Sequence, residues 1–320
     1  MSTATSRTDR TDTTTGHAPE RFVHQAALYD GPGELLPAVM PFIREGVERG
    51  EPVLVAMLPE RLTAIEAALG PEATRVDFVD MGELGANPAC IIPEWRRFLE
   101  DAGEVGPVRG VGEPVWSGRR AVEVEEATLH EALLNLAFDD GPGWQLLCPY
   151  DMSLLPASVI EDAVLNHPLA HGAGATTRYA GRERARSLFK KVPAAAPDAE
   201  VFEFGPRDLA GLRSVVSGLA RQAGVRRPVA DDMVLAAHEL ATNSIVHGGG
   251  FGRLSSWTEQ DAFVVEVSDA GVIEDPLVGR DLLQELAENG RGVWMANQLC
   301  DLVQVRSGEA GTVVRLFAWL

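Results

Sequence analysis

The sequence predicts two domains of different class: an α/β unit with a mostly parallel sheet over residues 21–171, and an α+β sandwich over 201–320. Three observations carry this expectation. A chain of 320 residues is longer than one hydrophobic core usually organises. Strand-like and helix-like runs alternate from residue 22 to about 170, a rhythm that implies a parallel sheet covered on both faces. Beyond 201, two helical runs in succession give way to paired strands, as expected of a sheet with helices on one face.

Taken in order, residues 1–20 hold almost no large apolar side chain and are expected to form a disordered tail. Residues 26–29 and 52–58 read as buried strands, with a helix over 34–49 between them. A helix over 61–69, a strand over 76–79 and a helix over 93–100 follow. Helical periodicity returns at 125–138 and 157–165, with the apolar run 144–148 as a strand between them. At 172–200 the composition shifts to Gly, Ala, Arg, Lys and Pro, which predicts an interdomain linker with room for a short basic helix at its start. A strand over 201–204 then precedes a helix from 206 or 207 to about 224, whose apolar stripe is Leu209, Leu212, Val215, Val216 and Leu219. The next helix, 230–247, stops at Gly248-Gly249-Gly250. Strands at 252–257 and 262–268, a polar stretch reaching Asn289, a helix at 292–299 and strands at 302–307 and 312–319 complete the chain.

Composition narrows the function classes. Forty-seven acidic residues against 28 basic ones give a formal charge of −19, which argues against direct nucleic-acid binding and favours a partner with a basic surface. Cys90, Cys148 and Cys300 stand far apart without a CxxC spacing, as expected of reduced thiols in a cytoplasmic protein. No apolar run approaches about 18 residues, so no membrane span is expected.

The last third carries three motifs in fixed order. Glu239 and Asn243 lie four residues apart and therefore on one helix face. A carboxamide oxygen can complete a magnesium shell crowded by phosphate oxygens, and a carboxylate one turn away can polarise an attacking hydroxyl or water. Asp269 ends a strand beside Gly271, where a carboxylate can accept a hydrogen bond from an exocyclic amine and glycine admits a close-lying ring. Gly290 and Gly292 flank Arg291 at a helix start, where free amides suit phosphate oxygens. Each motif alone fits an ordinary amphipathic helix, turn or helix entry; the ordered set does not.

That set resembles the GHKL (Bergerat-fold) ATPase superfamily, and above all its small branch of anti-sigma factor serine/threonine kinases. Glu239-Leu240-Ala241-Thr242-Asn243 matches the first box, Asp269-Ala270-Gly271 the second and Gly290-Arg291-Gly292 the third, while Gly311-Thr312 stands where a late threonine lies near the adenine. The resemblance implies a site for ATP and Mg2+ in which Asn243 binds the metal and Glu239 acts as general base. Asp269 would read the adenine beside Gly271 and Thr312, Gly290, Arg291 and Gly292 would sit under the ATP lid, and His247 would serve as a cap or lid contact.

In the first domain a strand, a Gly31-Pro32-Gly33 turn and a helix follow the order of a phosphate-binding loop. Glu34, Leu35 and Leu36 stand where that loop needs a lysine and a Ser or Thr, so nucleotide hydrolysis is excluded there. The stretch resembles instead a MEDS sensory domain, on His24, Leu28 and Tyr29, on the run from Arg109 to Trp116, on His130-Glu131, and on Leu147-Cys148-Pro149-Tyr150-Asp151. Such domains resemble degenerate RecA/KaiC-type ATPase sheets and are thought to sense ligands or partners. His24, Tyr29, Glu113 and Trp116 are therefore expected to line a sensory pocket for a small-molecule or protein signal.

These resemblances imply a bacterial transcription regulator that sequesters a sigma factor, or phosphorylates a serine or threonine of a STAS-type anti-sigma antagonist, under control of its sensory domain. A homodimer is compatible with that branch. Two other readings stay open: a non-catalytic, nucleotide-gated binding module, and a sensor histidine kinase. The last requires a phosphoacceptor histidine on a dimerisation helix; His238 lies inside the nucleotide helix itself, and His130 lacks the arginine and proline that usually follow.

Overall fold

A computed structural model describes residues 21–103, 106–141, 143–171, 174–194, 196–280 and 290–320. The tail at 1–20 and residues 281–289 of the polar stretch ending at Asn289 lie outside these residues. In the N-terminal domain, β1 (Val23–Tyr29), β2 (Val53–Met57), β3 (Asp77–Asp80), β4 (Arg109–Gly112) and β5 (Gln145–Asp151) pair in parallel in the order β3-β2-β4-β5-β1. β6 (Leu169–Ala170) continues the sheet parallel to β1, and β7 (Gly174–Ala175) closes it antiparallel to β6.

The parity of each strand decides which core its side chains enter. On β1, Ala27 and Tyr29 join α1 (Leu35–Arg49) and α2 (Pro59–Leu69) on one face. Ala26 joins the opposite core with α4 (Ile91–Ala102), α5 (Ala121–Ala137) and α6 (Ala157–Asn166), while α3 (Met81–Leu84) is a single short turn after β3. β4 is absent from the sequence expectation because Arg109 and two glycines interrupt the apolar pattern. It forms because Arg109, 2% exposed, is neutralised by Glu51 and Glu45 and stacks over Phe42 at 4.8 Å.

The segment expected to be a linker holds one docked helix. Its helix α7 (Glu183–Phe189) buries Ala185 and Phe189 and packs between α5 and β11 (Leu302–Gly308). The C-terminal domain then adds β8 (Glu200–Phe204), α8 (Leu209–Gln222), α9 (Arg227–His247), β9 (Gly252–Glu259), β10 (Ala262–Asp269), α10 (Arg291–Leu299) and β12 (Gly311–Trp319). Its five strands are all antiparallel, in the order β11-β12-β10-β9-β8. α9 begins at Arg227, three residues before the expected start, because Pro228 is accommodated in its first turn, where no intrahelical N–H is needed.

Alternation again sorts the side chains. Phe263, Val265, Val267, Val303 and Val305 face the helices α8, α9 and α10. Ala262, Val264, Leu302 and Phe317 face the other way and pack against Val122 at the start of α5. The outer face of the second sheet is thus roofed by a helix of the first domain. Arg120, just before that helix, stacks over Trp319 at 4.0 Å and pairs with Asp261 at 2.5 Å.

At the centre of this contact is Glu126 of α5, fully buried. Its carboxylate accepts from Arg280 at 3.2 Å and from Arg306 of β11, both buried guanidiniums of the other domain. Nearby, Asn87 donates to the carbonyl and side-chain oxygens of Asn297 at 3.1 Å, and Asn297 donates to the Gly279 carbonyl at 2.9 Å. Removing one member of such a buried set leaves its partners charged and desolvated. Glu126→Ala should therefore lower stability by about 3–5 kcal/mol in denaturant unfolding, while Glu125→Ala, which loses a long 3.5 Å bond from Gln304, should change it little.

Candidate functional site

Glu239, Asn243 and His247 recur every fourth residue along α9 and present one face to a cavity of about 500 Å³. Leu240, Ala241 and Ser244 occupy the adjoining buried stripe, which anchors the helix on the sheet. Asp269, Gly271, Gly290, Arg291, Gly292 and Thr312 line the same cavity, so the motifs 239–243, 269–271, 290–292 and 311–312 meet at one place. The ladder between β10 and β12 brings Thr312 directly opposite Asp269.

Asp269 is held in one orientation. Its carboxylate accepts the Ser244 hydroxyl at 2.6 Å and the Gly271 amide at 2.8 Å. Thr312 belongs to a directed chain in which the Ile273 amide donates to Ser307, Ser307 to Thr312, and Thr312 to the Gly271 carbonyl, each bond 2.8 Å long. That chain pins residues 271–273 as one wall of the cavity. Ser244 and Ser307 escaped the sequence reading because a serine in a helix or on a strand carries no local signal of its partner. Ser244 stands one position after the metal-ligand candidate Asn243, and only helix rotation reveals that it faces Asp269.

Two glycines are required by close approach. A Cβ on Gly248 would lie 2.4 Å from the Asp269 carboxyl carbon, and one on Gly292 would lie 2.6 Å from the Asn243 amide nitrogen. The start of α10 therefore abuts the face of α9 that carries Glu239 and Asn243, with its free backbone amides directed as a helix N-terminus provides. The cradle, the fixed carboxylate and the carboxamide form a donor set that suits a polyanion bound with a hard divalent ion and a planar amine-bearing ring. Asn243 would hold the ion through its amide oxygen.

The residues expected to line a sensory pocket do not meet at one place. Tyr29 and Glu113 are joined by Arg61, which pairs with the Glu113 carboxylate and donates to the Tyr29 hydroxyl at 3.0 Å. His24, five residues before Tyr29 on β1, has the opposite parity and enters the other core, 3.4 Å from both Cys148 and Glu131. Trp116 lies half-buried under the Arg119 guanidinium at 3.6 Å. Strand parity was the available signal that 24 and 29 do not share a face; Arg61 carried none. Burial pulls the His24 imidazole down to about 4 and the His130 imidazole to about 3. His130 is 1% exposed, which closes it to phosphoryl transfer from a nucleotide.

Comparison with known proteins divides the chain in the same way. Residues 23–168 match the MEDS family, described as the methanogen/methylotroph, DcmR sensory domain. Residues 202–318 match the histidine kinase-like ATPase domain. The serine-protein kinase RsbW of Halalkalibacterium halodurans is 29% identical over 121 residues, which are 34% of this chain and 74% of that protein. The crystal structure of the RsbU and RsbW domains of Rv1364c from Mycobacterium tuberculosis aligns with 43% of this chain at 16% identity and a TM-score of 0.29; the chain spans 40% of the length of that one. Among the described residues, no helix is long and apolar enough to cross a membrane.

The crowding at Gly248 has a measurable cost. Gly248→Ala should destabilise the chain by about 1–3 kcal/mol through overpacking against Asp269. Gly218→Ala on α8, where an added Cβ meets nothing within 4 Å, should stabilise it by about 0.5–1 kcal/mol through helix propensity. Paired thermal melts of the two variants check both signs.

Proposed function

From a chain that joins a MEDS domain to a histidine kinase-like ATPase domain, we propose an ATP-dependent protein serine/threonine kinase of the anti-sigma type, controlled by its N-terminal domain and working in the cytoplasm. The observation that carries the proposal is the convergence of four separate motifs on one cavity, around a carboxylate already oriented by Ser244 and Gly271. The likeness to a serine-protein kinase over 121 residues supports the kinase reading. The burial of His130 weighs against a histidine kinase.

In this reading Asp269 accepts a hydrogen bond from the exocyclic amine of adenine, with Gly271 and Thr312 beside the ring. Asn243 supplies an amide oxygen to Mg2+, and the amides at Gly290–Gly292, with Arg291, face phosphate oxygens. Bound magnesium–ATP supplies the γ-phosphoryl group. Glu239 takes the proton from the serine or threonine hydroxyl of an anti-sigma antagonist of STAS type. A sigma factor is the other partner, captured by the same domain.

The control element is the contact at Glu126. Arg280 stands two residues after Val278, which lines the cavity, and Glu126 and Asn87 of the sensory domain hold Arg280 and, through Asn297, Gly279. A shift of α5 would thereby reach the cavity wall through the buried Glu126–Arg280 pair. For the N-terminal sheet, β1 flanked on both sides by parallel strands, with Gly31-Pro32-Gly33 leading into α1, supports kinship with RecA/KaiC-type sheets that have lost phosphate binding.

Incubation with labelled ATP and the cognate antagonist should place acid-stable phosphate on the antagonist, and Glu239→Ala should abolish it. Acid-labile phosphate on this chain would overturn the proposal, and ATP binding without transfer to any antagonist would leave only a nucleotide-gated binding module. Asp269→Asn should weaken ATP binding by about tenfold to a hundredfold, the worth of one hydrogen bond to a charged group, as calorimetry would read.

A further inference from the structure

The N-terminal core holds a second polar cluster, built from four elements. His24 comes from β1, Cys148 from the neighbouring β5, Glu131 from α5 and His167 from the end of α6. One side-chain atom of each lies within 4.8 Å of all the others, and none of the four residues exceeds 1% exposure. The cluster lies on the face opposite Tyr29, Arg61 and Glu113, and belongs neither to that group nor to the nucleotide cavity.

The outer nitrogen of each ring is already committed. The Nδ1 of His167 lies 2.7 Å from the Ala163 carbonyl, which can only accept, so this nitrogen carries a proton. The Nδ1 of His24 lies 3.2 Å from the Asn135 amide oxygen, and the Asn135 amide nitrogen is turned toward the carbonyls of Asn166, Glu131 and Ala132. That oxygen must therefore accept, and the His24 Nδ1 donates.

In the neutral rings both Nε2 atoms then present lone pairs to the same space as the Glu131 carboxylate. The His167 Nε2 comes within 2.8 Å of a Glu131 oxygen and the His24 Nε2 within 3.4 Å. Yet neither carboxylate oxygen of this buried residue, nor the His167 Nε2, makes a hydrogen bond of acceptable geometry. The Cys148 sulfur completes the group, 3.4 Å from the His24 Nε2. Two imidazole lone pairs and a carboxylate thus converge on one space, with the Cys148 thiol and the Tyr150 hydroxyl as the neutral donors beside them, an arrangement that suits a bound cation.

We propose that His24, Glu131, Cys148 and His167 form a closed, structural site for a divalent transition metal, zinc in chemical type. Two imidazole nitrogens, one thiolate and one carboxylate are a four-ligand set that a tetrahedral zinc ion accepts, and their separations leave room for one ion at their centre. The charges cancel: the ion's two positive charges meet one thiolate and one carboxylate, so a neutral complex replaces a buried anion. Binding releases the Cys148 proton, the only proton the site must lose. The Nδ1 bonds to Asn135 and Ala163 are the outer contacts that orient histidine ligands. With all four positions filled by protein and no solvent access, the ion holds β1, β5, α5 and α6 together and takes no substrate.

The test uses the full chain, expressed without a polyhistidine tag. Elemental analysis of the purified protein should find close to one zinc per chain. X-ray absorption at the zinc edge should show one sulfur and three nitrogen or oxygen neighbours, with histidine scattering. After replacement by cobalt, a thiolate-to-cobalt absorption band should be present in Cys90→Ser and Cys300→Ser and lost in Cys148→Ser. A folded wild-type chain that holds no metal and develops no band with cobalt would overturn the proposal, as would a bound metal without a sulfur neighbour. The absorption measurement on wild type keeps the proposal open to refutation should Cys148→Ser fail to fold. ATP binding, read in parallel, reports on the other domain, so the two proposals fail separately.

Discussion

A single carboxylate without access to water organises the relation between the two halves of this chain. Glu126 is fully buried on α5, a helix whose one side packs on the parallel sheet and whose other side roofs the antiparallel one. A lone buried carboxylate is costly, and this one is compensated only because Arg280 and Arg306 of the second domain reach it. The attraction is specific in direction, since neither guanidinium can move far without leaving a charge unpaired. Hydrophobic contact supplies the area, through Val122 against Ala262, Val264, Leu302 and Phe317. The buried ions set where on that area the helix rests.

The same constraint explains why β11 is buried along its whole length. Its inward residues Val303 and Val305 enter the helical core, while Gln304 and Arg306 face outward and would ordinarily meet water. They are covered because α5 brings Glu125 and Glu126 over them. The docking of α7 between α5 and β11 turns what reads as a linker into part of the interface. The two domains consequently share a continuous apolar core, and the cavity lined by Glu239 and Asp269 lies in a domain whose edge is shaped by the other.

Much of this was legible in the residues. The alternation of strands and helices to residue 170, the paired strands after Gly250 and the helix carrying Glu239 and Asn243 all follow from periodicity and stop signals, which are local. Gly290-Arg291-Gly292 could be read for the same reason. What escaped was β4, whose Arg109 is tolerable only beside Glu51 and Glu45, and the division of His24 from Tyr29, which parity on β1 foretold but a shared motif obscured. Ser244, Ser307 and Arg61 escaped because their partners are fixed by helix rotation and strand pairing.

By itself the sequence determined most of the elements, the order of the motifs and which side of most strands is apolar, because each depends on residues within a few turns of one another. The tertiary structure alone decided which surfaces meet. Glu126 finds Arg280 and Arg306 across 154 and 180 positions, and His24 finds Cys148 across 124. No local pattern encodes such pairs. They exist because burial removes water as the alternative partner, and each charge or lone pair must then be answered by whatever the fold has brought beside it.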